Sequence, residues 1–191
     1  CGSGSFLLGG YRCLLEHCLK WYVDHNPANK RKNVFQDSRS GAWKLTIEEK
    51  KRILLAHIFG VDIDAQAVEV TKLSLLLKAL EGENDATLSM QFGLFHERAL
   101  PNLSENIRCG NSLIAPDYFS GTLIPDAEEI RRGNAFDWRE GFPAAMSDGG
   151  FDCIFGNPPY VLLQDANRDD AQMEYFKREY EVASFKVDTY H

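Results

Sequence analysis

Asn157-Pro158-Pro159-Tyr160 follows directly on the apolar run Phe151-Asp152-Cys153-Ile154-Phe155-Gly156. Two prolines lock their φ angles, so the Asn157 side-chain carbonyl and the Pro158 backbone carbonyl can both face one external amine. An amine on a purine ring is a poor nucleophile, because its lone pair is delocalised into the ring. Two acceptors on its hydrogens return electron density to the nitrogen as it becomes tetrahedral, which stabilises the developing charge. Tyr160 offers a flat face on which the ring can stack. A proline-rich turn that merely closes a strand carries the same four residues, so the rest of the sequence must decide.

The opening Cys1-Gly2-Ser3-Gly4-Ser5-Phe6 sets two glycines before an amphipathic stretch, where backbone can approach a ligand with no Cβ in the way. It lacks the Gly-Lys-Ser/Thr of a phosphate-binding loop, and Leu7 or Leu8 stands where a dinucleotide fingerprint has its third glycine. A nucleotide bound here is expected to lack a polyphosphate. Asp62 ends the next apolar run, the place from which an acid accepts hydrogen bonds from ribose hydroxyls in doubly wound nucleotide folds. It lies 58 residues beyond Gly4, against roughly 20 in a plain βαβ unit, and a basic loop with an extra helix accounts for the excess. Asp64 competes for the ribose role but is better placed as a helix cap.

These residues need elements to position them. Leu7, Tyr11, Leu14, Leu15, Cys18, Leu19, Tyr22 and Val23 recur at helical spacing and predict a helix directly behind the glycine turn, ended by Asn26-Pro27. Residues 25–45 are polar and basic and read as a mobile loop. Thr46 and Glu49 fit a capping box that starts a helix from Ile47 to about Ala56. His57 to Ile63 reads as a strand buried on both faces of a parallel sheet. Asp64 then caps a helix over Ala67–Leu80, with Val68, Val70, Leu73, Leu76, Leu77 and Leu80 expected inward. Asn106 to Cys109 reads as a short strand, and 115–150 as an insertion with one small helix near Ala127–Arg132. Phe151 to Gly156 is expected to be a third buried strand. Alternating strands and helices make the fold class α/β with a parallel sheet flanked by helices.

With 191 residues, 44% hydrophobic and 26% charged, the chain is long enough for one domain with a real core, and disordered or collagen-like classes are excluded. The net charge of −7 excludes holding a polyanion by overall charge, although residues 1–56 carry +5 and the remainder −12. The basic clusters Lys30-Arg31-Lys32 and Lys50-Lys51-Arg52 read as solvated faces that could assist locally. Five cysteines without CxxC spacing point to a reduced, cytoplasmic protein with no structural zinc. The apolar runs are strand-length, so no membrane association is expected. The chain opens on Cys1 rather than Met and ends at Tyr190-His191 without a turn or cap, which reads as a piece of a longer protein.

The series CGSGSF, GVDID, CGNSL and FDCIFGNPPYV, in that order across nearly the whole chain, resembles the amino-methyltransferases that use S-adenosylmethionine. The resemblance is greatest to the N6-adenine DNA methyltransferases of restriction-modification systems, including fused type IIG enzymes. It implies a partial Rossmann-like methyltransferase domain over residues 1–191, with insertions at about 25–56, 82–105 and 115–150, and a target recognition domain downstream. It implies that Gly2 and Gly4 border the methionine part of S-adenosylmethionine, that Asp62 holds its ribose, and that Ile63 packs on its adenine. Asn111 stands where the family places a residue reading the adenine amino group; an Asn capping a following helix is the other reading. Asn157, Pro158, Pro159 and Tyr160 are implied to orient and stack an adenine flipped out of double-stranded DNA. Val187-Asp188-Thr189-Tyr190 resembles the start of the family's next motif.

The resemblance also implies a first strand and an Asp-Pro-Ala triplet upstream of Cys1. Without them the chain is expected to bind S-adenosylmethionine poorly and to self-associate through strand flanks left open. Two other functions stay open on sequence. The same tetrapeptide could serve methylation of a protein glutamine or of an RNA guanine, or the chain could be a nucleic-acid-binding module that has lost catalysis.

Overall fold

The computed structural model describes residues 2, 4–30, 32–82, 101–120, 127–156 and 170–180. Helix α1 (Ser5–Asp24) starts at Gly4, whose φ of 77° is left-handed, and ends where Asn26 takes φ 60°. Its apolar stripe of Leu7, Tyr11, Leu14, Leu15, Cys18, Leu19 and Tyr22 faces the main core. Tyr11 is fully buried and its hydroxyl donates to Lys50 O at 2.8 Å, so the ring's polar end is satisfied inside.

The expectation of a mobile loop over 25–45 is overturned. The stretch holds a 3-10 turn, Pro27–Asn29, and an antiparallel hairpin of β1 (Val34–Gln36) and β2 (Trp43–Leu45). Asp37 organises its turn, accepting from the N–H groups of Arg39 and Ser40 and pairing with Lys44. Val34 and Leu45 point into the core, the alternation that polar composition had masked.

Helix α2 (Ile47–His57) starts at Thr46 as the sequence predicts, with Thr46 Oγ1 accepting from Glu49 N at 3.2 Å. The reciprocal half of the box is absent, because the Glu49 carboxylate turns instead to Tyr22, Asn33 and Arg52. Strand β3 is shorter than expected, Gly60–Asp62, and half-buried rather than buried on both faces. His57 belongs to α2, and the turn between them is held by Asn106, whose buried amide donates to Leu55 O and Ile58 O. Helix α3 (Ala65–Leu80), capped by Asp64, returns to β4 (Ile107–Cys109), which runs parallel to β3 with Gly60 opposite Ile107 and Asp62 opposite Cys109. This is one βαβ crossover, and α1, α2 and α3 pack on one another beside it.

The inward face of α3 differs from the sequence expectation. Val68, Thr71, Leu75 and Ala79 are buried, whereas Val70, Leu73 and Leu77 are exposed by half or more. The helix is apolar around most of its circumference, so periodicity cannot choose a face. Small residues choose it, since Thr71 and Ala79 allow close approach and a Cβ on Gly4 would lie 2.9 Å from Thr71 Cγ2.

Residues 115–150 carry more structure than one small helix: a 3-10 turn at Pro116–Phe119, then α4 (Ala127–Gly133), α5 (Trp138–Gly141) and α6 (Pro143–Ser147). Phe151 to Gly156 is not a strand. Only Phe151 is half-buried, and Ile154 and Phe155 are exposed. A strand needs a neighbouring ladder, and this run has none among the described residues. What fixes its start is an aromatic cluster in which Phe151 meets Phe59, Trp138 and Phe142 at 5.5 to 6.0 Å between ring centroids. Helix α7 (Asp170–Glu179) forms a second small core, setting Tyr175 and Phe176 against Ile114. The observed architecture is a mixed α/β arrangement with a small parallel sheet and helices.

Candidate functional site

The glycine turn and the end of β3, 60 residues apart in sequence, meet at one corner. Gly2 N–H donates to Asp62 Oδ2 at 2.6 Å and Asp64 N–H to Asp62 Oδ1 at 2.9 Å. A carboxylate presents about four acceptor directions, and the two N–H groups take one on each oxygen. Burial acts to push the Asp62 carboxyl up, but the positive charge of the chain's amino terminus, and after it the N–H groups of Asp64 and Gly2, outweigh it and hold the group below the usual aspartate range. The corner therefore presents an ionised acid at a strand end.

Thr71 ties the turn to α3 from below, its hydroxyl donating to Gly2 O at 3.2 Å. Gly2 and Gly4 are both left-handed, at φ 54° and 77°. They differ in surroundings, because a Cβ on Gly2 would meet nothing within 4 Å while one on Gly4 would strike Thr71. Gly4 is thus needed for packing, whereas Gly2 borders open space. Next along the chain, Ile63 leaves 55% of its surface exposed. An aliphatic side chain standing open beside a carboxylate suits the base and sugar of a nucleoside, and the residues present fit such a group.

Asn111 lies beyond the end of β4. Its Oδ1 accepts from Leu113 N–H at 3.1 Å, an Asx turn, and no α-helix follows, so the helix-cap reading does not hold. Gly110 before it admits the Phe136 ring, which would lie 2.8 Å from a Cβ there. The loop after it is clamped by α7 and the residue beyond. Ala115 N–H donates to Tyr175 Oη at 3.1 Å, and Tyr180 Oη–H donates to Leu113 O at 3.0 Å.

The structure thus brings Gly2, Gly4, Asp62 and Ile63 to one corner. Asn111 joins it through Asn134, whose carbonyl accepts from Asn111 N–H and whose amide reaches Ile63 O. Asn157, Pro158, Pro159 and Tyr160 lie outside the described residues. Thr71 and Asn134 were missed in the sequence. Nothing in an apolar helix marks Thr71, whereas the Gly133-Asn134 pair is a turn signal that could have drawn attention.

Comparison with known proteins gives these features a family. The Escherichia coli type II restriction enzyme and methyltransferase RM.Eco57I is 31% identical over all of this chain, which covers 17% of that relative. The adenine-specific methyltransferase PglX of Streptomyces coelicolor is 21% identical over 92% of this chain and 13% of its own length. The chain therefore spans about a sixth or less of the length of these relatives. No solved structure matches it significantly. Among the described residues no helix is long and apolar enough to cross a membrane. Residues 56–191 match the Eco57I restriction-modification methylase family, and the chain belongs to that family.

Proposed function

We propose that residues 1–191 are part of the catalytic domain of an enzyme that methylates the N6 amine of adenine in double-stranded DNA, within a restriction-modification or phage-defence system. The contact between Gly2 N–H and Asp62 at 2.6 Å carries this reading, because it joins the two motifs that a nucleoside pocket needs. The crossover β3-α3-β4, with the acid at the carboxyl end of its first strand, is the arrangement in which open α/β sheets bind ligands. It supports a Rossmann-like methyltransferase fold for the whole domain. The domain is interrupted at about 25–56, 82–105 and 115–150, and target recognition falls to a downstream domain.

In this reading Asp62 accepts the ribose hydroxyls, Ile63 covers one face of the cofactor adenine and Asn111 meets its edge, while Gly2 and Gly4 border the methionine end. S-adenosylmethionine, when bound, supplies an electrophilic methyl group on a sulfonium. Asn157 and Pro158 accept hydrogen bonds from the target amine, Pro159 fixes their backbone, and Tyr160 stacks on the flipped base. Most of the acceleration comes from holding the amine in line and close in a water-poor cleft. The adenine-specific description of the Streptomyces relative supports the choice of base.

The test is a nucleoside digest of DNA incubated with the intact protein and S-adenosylmethionine. N6-methyladenine appears, and it disappears with Asn157→Ala. Methylation confined to cytosine, RNA or protein would refute the proposal.

A further inference from the structure

Asn134 takes φ 41°, one of only two non-glycine residues with positive φ among those described. The left-handed region disfavours L-residues, Asn less than most, and persists where the surroundings demand it. Here the demand is visible on both sides. The Asn134 carbonyl accepts from Asn111 N–H at 2.6 Å, Ala135 forms a parallel bridge with Asn111, and Phe136 N–H donates to Ile114 O at 2.8 Å. The side chain reaches the other strand end, where Nδ2 donates to Ile63 O at 3.4 Å and lies 3.6 Å from Cys109 Sγ. The Cys109 thiol in turn donates to Ile63 O at 3.6 Å.

One residue therefore fixes the backbone of both Ile63 and Asn111, the two groups assigned to the base of the bound nucleoside. Ile63 is held by its carbonyl, which leaves its side chain standing outward. Asn111 is held by its N–H, which sets the direction of its side chain together with the Asx turn.

We propose that Asn134 is a positioning residue that sets the register between Ile63 and Asn111 and so gives the cofactor pocket its selectivity for adenine. This rests on the proposed assignment of Asp62, Ile63 and Asn111 to an S-adenosyl ligand. The left-handed corner matters through the carbonyl it aims at Asn111, and the amide contributes the weaker tie to Ile63. Glycine at this position keeps the corner and loses the tie. Aspartate tolerates the corner and lacks the donor. Alanine opposes the corner itself.

The test is calorimetry on the intact protein with S-adenosylhomocysteine and with S-inosylhomocysteine, which carries an oxo group in place of the amino group. The wild type prefers the adenine ligand. Asn134→Gly and Asn134→Asp lower that preference about threefold, and Asn134→Ala lowers it about tenfold, with melting temperature recorded for each. Should the alanine variant fail to fold, the glycine and aspartate variants decide alone. A folded alanine variant with the wild-type preference overturns the proposal, as does an equal loss for both ligands, which marks a merely structural role. Wild-type protein that binds neither ligand refutes the cofactor reading itself and this proposal with it. Equal wild-type affinity for the two refutes the selectivity alone.

Discussion

Glu49 and Asp62 are both carboxylates held below their usual range against the effect of burial, yet the two regions around them are built differently. Glu49 is 2% exposed and filled by side chains. Tyr22 donates to it at 2.8 Å, Asn33 at 2.7 Å, and Arg52 at 2.9 and 2.7 Å, which joins α1, the approach to β1, and α2. Asp62 is half-buried, and two of its donors, at 2.6 and 2.9 Å, are backbone N–H groups. Side chains that surround a carboxylate spend its acceptor capacity on the fold. Backbone donors fix its orientation with no side-chain bulk and leave an approach from solvent. The first arrangement holds three elements together, and the second suits ligand binding.

Substituting each acid should separate these roles. Glu49→Ala leaves Asn33, Tyr22 and Arg52 facing a void and is expected to cost about 3 kcal/mol in urea unfolding, moderated by Arg52 being half exposed. Asp62→Ala in the same experiment should cost under about 1 kcal/mol. Calorimetry of the intact protein with S-adenosylmethionine should show the reverse: Asp62→Ala weakens binding about a hundredfold, some 2.7 kcal/mol, and Glu49→Gln leaves the folded fraction's affinity within about twofold. Equal effects of the two acids in both experiments would erase the distinction.

The two glycines of the turn sharpen the same contrast between packing and open space. Alanine at either must adopt positive φ, and only at Gly4 does the new Cβ also meet the buried Thr71 at 2.9 Å. Gly4→Ala should lose about 2 kcal/mol of stability and Gly2→Ala about 1 kcal/mol. The crowding contribution is the difference in their denaturation midpoints, and identical midpoints would remove it.

The corner's ingredients were legible because strand-end acids and glycine turns announce themselves by type and place. Asp62 and Asp64 took the expected positions, and α1, α2, α3 and β4 fell where periodicity and caps put them. Glu49 was legible only as a capping residue, since its true partners Tyr22 and Asn33 are set by how α1 and the hairpin fold back, which no local pattern encodes. The inward face of α3 was misread for a related reason: a helix apolar on most sides is oriented by Thr71 fitting against Gly4, a long-range match of small residues. Phe151 to Gly156 has the composition of a buried strand, but composition supplies no ladder partner. Asn134 was missed because its role depends on two loops meeting.

The acid limb of stability offers the smallest separation and the most direct test of how much solvent reaches each carboxylate. For both groups the folded pKa lies below the unfolded one. Each therefore contributes stability that is present above its unfolded pKa, around pH 4, and is lost as pH falls through its lowered folded value. A protonated Glu49 must turn an O–H toward donors where water does not reach, and it faces the Arg52 cation without its charge, which solvent relieves only on the exposed half of Arg52. Asp62 is partly open, and solvent screens its loss. The slope of unfolding free energy against pH, taken from about pH 5 downward, should therefore flatten more in Glu49→Gln than in Asp62→Asn. Equal flattening would mean that water reaches both acids alike, and the closed knot at Glu49 would then be no better shielded than the open corner at Asp62.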